Sequence, residues 1–235
     1  MKILITGASR GIGAASAMKF ASMKDCELFL VSRNEGSLTR LKEDINETFP
    51  ETYVNIYGRD LQKEDNIQSL LEEIQKTTYH LDILINNAGQ LVNRDFLDIG
   101  LEEINRVFSV NYTAPALIIR ESITLLKNAK QPHIINISSM GGFQGSVKFS
   151  GLSHYSASKA AIAVLTECLA TEFKGEIAVN CLAIGSVQTE MLEEAFPGYK
   201  APLQPAEMAE FVCDFAMNAH RFMNGKIVPV SLSNP

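Results

Sequence analysis

The sequence predicts an α/β fold: a single doubly wound parallel sheet, a Rossmann fold with helices on both faces. Two observations predict it. Short, continuously apolar runs recur along the chain, which suits strands covered on both sides. Between them lie longer segments whose apolar residues fall at i, i+3, i+4 and i+7, the period of an amphipathic helix. Alternation of the two is the pattern of βαβ units.

The runs Ile3–Ile5, Leu28–Val31, Tyr53–Tyr57, Ile83–Ile85, Ile134–Ile137 and Ile177–Leu182 read as strands, and Gly225–Leu232 as a last one. Leu38, Leu41, Ile45 and Phe49 make a helical stripe after the second run. Ile67, Leu70, Leu71 and Ile74 make another after the third. Longer helical patterns lie around Leu101–Lys127 and Ser153–Phe173, and Met208, Phe211, Val212 and Phe215 mark one near the end. The stretch Thr189–Pro205 is the most irregular and reads as a short substrate lid. No linker or internal repeat interrupts this series, so residues 1–235 are expected to form a single domain.

With 46% hydrophobic residues the chain can bury a sizeable core. Its net charge of -6 gives no reason to expect nucleic acid or an anionic membrane as a partner, since both need clustered Lys and Arg. Neither a signal peptide nor an apolar run long enough to span a membrane is visible, and the protein reads as cytoplasmic. Cys26, Cys168, Cys181 and Cys213 form no C-x-x-C pair and read as buried reduced thiols. His80, His133, His154 and His220 lack ligand spacing, so no metal is expected. His154 reads as a polar residue at a helix start.

The first strand opens into Thr6-Gly7-Ala8-Ser9-Arg10-Gly11-Ile12-Gly13 and then an Ala-rich helix. Glycines there permit a tight turn and a close backbone approach to a pyrophosphate, and the helix start offers free N–H groups. The absence of G-K-[ST] argues against a nucleotide-hydrolysing P-loop. A carboxylate ending the second strand would bind the ribose 2′-hydroxyl of NAD and repel a 2′-phosphate. That position holds Ser32, followed by Arg33. With Arg10 converging from the glycine loop, this favours NADP(H).

The chain resembles the short-chain dehydrogenase/reductase family over nearly its whole length. The glycine loop matches the family's T-G-x-x-x-G-I-G, and Asp60-Leu61 stand where the family contacts adenine. Asn86-Asn87-Ala88-Gly89 match its N-N-A-G. Asn111, Ser139, Tyr155 and Lys159 match its catalytic Asn, Ser and Y-x-x-x-K. Gly185-Ser186-Val187-Gln188-Thr189 resemble its G-x-V-x-T cofactor segment.

The resemblance implies hydride transfer between NADP(H) and a small carbonyl or alcohol substrate. Tyr155 would then be the general acid and base, Lys159 would hold the nicotinamide ribose, and Ser139 would orient the substrate carbonyl. Tyr155 and Lys159 share a helix face at i, i+4. An ammonium about 4 Å from the phenol would favour its ionised form by roughly 4 kcal/mol at an effective dielectric of about 20. Pro115, four residues after Asn111, has no N–H to give to the carbonyl of Asn111. The family uses that carbonyl to hold a water beside the lysine.

The chain also departs from the pattern. The segment between Ser139 and Tyr155 is longer than usual, so Gly145–Ser153 must bulge and Ser138 is a substitute for Ser139. Ile184 replaces a proline, which loosens the following turn. The end, Val228–Pro235, lacks the usual glycine pair. The short lid and this ending resemble the sepiapterin-reductase-like and other small carbonyl reductase branches. Phe143, Phe149 and Phe196 are placed to line an aromatic-friendly cavity. Ile118, Ile119, Leu125, Leu165 and Leu169 make the two long helices apolar over much of their circumference, which predicts a homodimer or homotetramer. A silent NADP(H)-sensing regulator and a 3-oxoacyl reductase are the alternative functions.

Overall fold

The computed structural model describes residues 1–232; Ser233–Pro235, the last part of the chain end considered above, lie outside the described residues. Seven strands form one parallel sheet: β1 (Lys2–Thr6), β2 (Glu27–Ser32), β3 (Tyr53–Gly58), β4 (Ile83–Asn86), β5 (His133–Ser139), β6 (Ala178–Ile184) and β7 (Ile227–Val230). Their order is β3-β2-β1-β4-β5-β6-β7, so the direction of winding reverses between β1 and β4. This is the expected doubly wound sheet, and each predicted strand lies within a few residues of an observed one. A reversal of this kind leaves a crevice outside the carboxyl ends of the strands.

Both faces of the sheet are covered, which explains the unbroken apolar runs. Ile3, Ile5, Leu28, Leu30, Ile83 and Ile85 pack on one side, with α1 (Gly11–Ala21), α2 (Glu35–Thr48) and α8 (Pro205–Asn218). Leu4, Phe29, Val31 and Leu84, their alternate neighbours, pack on the other with α3 (Glu64–Thr77), α5 (Ala114–Lys127) and the end of α6 (Ser153–Glu172). Successive strand residues point to opposite faces, so burial on both sides requires apolar residues at every position.

The helical pattern from Leu101 to Lys127 is not one regular helix. α4 (Leu101–Phe108) runs into a π-helical turn, Ser109–Thr113, before α5 begins. There the N–H of Ala114 donates to the carbonyl of Ser109, one residue beyond α-helical spacing. Asn111 sits inside this turn. Pro115 cannot serve its carbonyl, and a widened turn accommodates that missing donor.

The residues that suggested a homo-oligomer have another use. Ile118, Ile119 and Leu125 are buried in the chain's own core, and Leu165 and Leu169 are half-buried. The large apolar residue that α6 leaves exposed is Val164, at 56% exposure. Cys26, Cys181 and Cys213 are buried as expected, but Cys168 is exposed on α6 because its position falls on that helix's outer face. No helix among the described residues is long and apolar enough to cross a membrane.

Candidate functional site

The carboxyl ends of the strands open on a cavity of about 540 Å³. Gly7, Ser9, Arg10, Gly11, Ile12, Arg33, Asp60, Leu61, Asn87, Ala88, Gly89, Ser139, Tyr155, Lys159, Gly185, Val187 and Thr189 all line it. Two predicted residues stand behind the wall instead. Gly13 lies beneath the loop, where an added Cβ would come within 2.3 Å of the Gly7 carbonyl oxygen, so its contribution is close packing. Asn111 is buried behind Gly89 and Gln90.

At one end is the glycine loop. Gly7 takes a left-handed φ of 66°, and a Cβ there would meet the backbone of Ala88 at 2.7 Å, so only glycine lets β1 and β4 diverge this tightly. Asn87 fixes the loop by donating from its amide to the carbonyls of Thr6 and Gly7, each at 3.1 Å. The Thr6 hydroxyl in turn accepts from the N–H groups of Asn87 and Ala88. No side chain caps the start of α1 and its first turn carries no acid. Its free N–H groups and positive dipole end suit a phosphate. Ser32 donates to Ser9 at 2.7 Å across the loop. Arg10 is not free to converge with Arg33: its guanidinium lies 2.6 Å from Glu194 on α7 (Glu190–Ala195), because the lid folds back over the loop. The residues of this end fit a dinucleotide phosphate group.

At the other end Tyr155, Ser139 and Lys159 converge. The Ser139 hydroxyl accepts from the N–H of Gly141 at 3.1 Å, which leaves its own proton for another acceptor. Burial raises the Tyr155 hydroxyl above the ordinary tyrosine value, and a hydrogen bond to Ser139 opposes this. The expected lowering by the Lys159 ammonium is not what moves it. That ammonium donates to the Ile137 carbonyl at 2.8 Å, and burial pushes its own pKa down to about 8. Ser138 also lines the cavity, but its hydroxyl donates to the Lys159 carbonyl at 2.6 Å, whereas Ser139 is the serine hydrogen-bonded to Tyr155. The Asn111 amide donates to the Gln90 carbonyl at 2.8 Å and to Ser158 at 2.9 Å, which ties the π turn to α6 one residue before Lys159. The position of Cβ on Gly89 would be 3.4 Å from Lys159 Nζ and 3.5 Å from Asn111 Oδ1, so a bare backbone there keeps the wall open.

His154 lies at the start of α6, as expected, and stacks on Phe96 with ring centres 5.5 Å apart. Phe149 and Phe196 line the cavity, whereas Phe143 does not. The turn after Ile184 is not loose: the N–H of Gly185 donates to the Val230 carbonyl at 2.8 Å, and a Cβ on Gly185 would press on Ser231. Thr189 also accepts from the N–H of Leu192 as the N-cap of α7. The cavity further includes Arg59, Leu152, Met191 and Tyr199, which were not singled out. Arg59 had a readable signal, since it directly follows β3 as Arg33 directly follows β2. Leu152 and Tyr199 lie in loops and Met191 in the six-residue α7, segments too short or irregular for periodicity to be informative.

A doubly wound sheet with a glycine loop at its switch point and a Ser, Tyr and Lys beside it defines a dinucleotide-binding α/β protein. The short chain dehydrogenase family model matches residues 1–200. The chain belongs to the short-chain dehydrogenase/reductase family of oxidoreductases. It is 30% identical over 210 residues to an uncharacterized oxidoreductase of Staphylococcus epidermidis, covering 89% of this chain and 87% of that one. It is 31% identical to the 3-oxoacyl-(acyl-carrier-protein) reductase of Aquifex aeolicus, covering 97% of this chain and 94% of the relative. A short chain dehydrogenase of Shigella flexneri 2a, solved in complex with NADP, superimposes with a TM-score of 0.88 at 28% identity, covering 97% of this chain and 95% of that one.

Proposed function

We propose that this protein is an NADP(H)-dependent reductase of an uncharged, bulky or aromatic carbonyl compound, with Tyr155 as general acid. One observation carries the reading: a single cavity joins an arginine-flanked phosphate loop to a Ser139–Tyr155 pair backed by Lys159. NADPH, when bound, supplies the hydride. Gly7 to Ile12 and the start of α1 receive its phosphates, Arg33 its 2′-phosphate, and Asp60 with Leu61 its adenine. Gly185, Val187 and Thr189 close the opposite side.

Burial keeps the Tyr155 hydroxyl protonated at neutral pH, so it is set to give a proton to a carbonyl oxygen. Ser139, already accepting from Gly141, donates to the same oxygen. Lys159 remains largely charged below its pKa of about 8 and stabilises negative charge developing nearby. Asn111 holds the backbone around Gln90 and Ser158, and so positions the helix that carries Tyr155 and Lys159.

The substrate half supports the substrate class. Leu152, Phe149, Met191, Phe196 and Tyr199 line it, and the charged lining residues other than Lys159 cluster toward the glycine loop. Lid residues 189–205 contain Lys200 as their basic residue, among Glu190, Glu193 and Glu194, a poor docking surface for an acidic acyl carrier. The similarity to a 3-oxoacyl reductase favours the acyl reading instead. The two separate on kcat/KM with NADPH: an aromatic diketone is expected to exceed a β-ketoacyl thioester. A clear preference for the thioester moves the protein to acyl-chain reduction, and no NADPH consumption with either supports a silent sensor.

A further inference from the structure

Arg10 sits between Ser9 and Gly11 on the phosphate loop, yet its guanidinium is held by Glu194 of α7 at 2.6 Å. Both side chains are about half exposed, 47% and 64%. Glu190 lies one turn before Glu194 on the same face of α7 and also acts on Arg10. Its carboxylate passes 3.7 Å from where a Cβ on Gly11 would stand. The lid therefore turns two carboxylates toward a loop built to receive anions. Arg33 contrasts with Arg10: among the described residues no acidic side chain pairs with it.

We propose that Glu194 sets the margin by which this protein prefers NADPH to NADH, by competing with the cofactor's 2′-phosphate for Arg10. The proposal rests on the reading that Arg33 receives that phosphate, and adds Arg10, once released by Glu194, as a second cation on it. A guanidinium can present its fork to one oxyanion in a bidentate fashion. A phosphate arriving at Arg10 must displace the Glu194 carboxylate or share the arginine with it, and it meets the charge of Glu190 as it does so. NADH brings no such group and leaves the pair closed. Cofactor choice is thereby linked to the seating of α7. Glu194 is a positioning residue acting through Arg10 and touches no reacting atom.

The test is equilibrium binding by fluorescence titration with NADPH and NADH, and by calorimetry with 2′,5′-ADP and 5′-AMP, which carry or lack the 2′-phosphate and have no nicotinamide. Glu194→Gln removes the charge and keeps the shape. Exposed ion pairs are modest, so NADPH and 2′,5′-ADP should bind roughly two- to fivefold tighter, with NADH and 5′-AMP unchanged. In an Arg10→Ala background the same substitution should change nothing. An unchanged NADPH to NADH ratio, equal tightening of both, or an effect that persists without Arg10 overturns the competition. Wild-type protein that binds NADH as tightly as NADPH overturns the cofactor reading itself, and the competition falls with it.

Discussion

Both ends of the strands carry charged and amide side chains, and the carboxyl end turns them toward the cavity of about 540 Å³. At the amino end they are tied to one another. The Lys2 N–H donates to Asp82 at 2.7 Å, and its ammonium reaches Thr78 at 2.8 Å and Glu27 at 3.2 Å. His133, the first residue of β5, is fully buried; its Nδ1–H donates to the Ala216 carbonyl and its Nε2 accepts from Asn180, both at 2.9 Å. Asn180 also donates to the Met223 carbonyl, which fastens the approach to β7. At the carboxyl end Arg33, Ser139, Tyr155 and Lys159 share a cavity wall. Polar groups closed on each other stabilise the fold, whereas polar groups aimed at a common space are available for chemistry. The difference predicts that changes at one end alter binding and turnover, and changes at the other alter stability.

The largest expected effect is at the carboxyl end. Tyr155→Phe removes the proposed acid and keeps the ring, so kcat should fall about 10²–10⁴-fold. NADPH affinity and thermal stability should stay near wild type. A variant retaining more than about a tenth of wild-type kcat would show that the hydroxyl is not the acid, and would break the contrast at its strongest point.

The amino end should answer to pH through His133. Burial lowers its pKa to about 4, well below the ordinary 6.5. The unfolded chain therefore takes up a proton that the folded protein refuses, and stability is lost as pH falls from about 6.5 to about 4. The loss amounts to about 3 kcal/mol over that window and levels off below it. His220 is displaced in the same direction, chiefly by burial, and adds to the trend. Urea denaturation at several pH values should show this slope, and His133→Gln should flatten it while leaving the NADPH dissociation constant of the folded protein unchanged. An equally steep slope in the variant would assign acid sensitivity elsewhere.

Smaller in free energy is Arg33→Ala. Charge-assisted hydrogen bonds of roughly 1.5–3 kcal/mol correspond to about a tenfold to hundredfold loss of NADPH affinity. NADH binding should scarcely change, and neither should the melting temperature, because Arg33 is exposed. Parallel titrations with both cofactors check this; equal losses for the two would sharpen the contrast only by moving the 2′-phosphate site away from β2.

The amino-acid sequence by itself determined the alternation of strands and helices, the glycine loop and the facing pair Tyr155 and Lys159. Those features are local: a strand, a turn and a helix start within a few residues, or two side chains at i, i+4 on one helix. Asn111 and Ser139, far from that pair along the chain, were legible through the family resemblance. The tertiary structure alone decided which of Ser138 and Ser139 faces Tyr155, since Lys159 folds its own carbonyl over the Ser138 hydroxyl. It decided that burial and Ser139, not the ammonium of Lys159, move the Tyr155 hydroxyl, because Lys159 is turned toward Ile137. It placed Ile118, Ile119 and Leu125 in the chain's own core, where the helical pattern alone suggested a partner. And it gave Arg10 to Glu194, 184 residues away, a pairing that no local spacing encodes because it exists only where the lid closes over the loop.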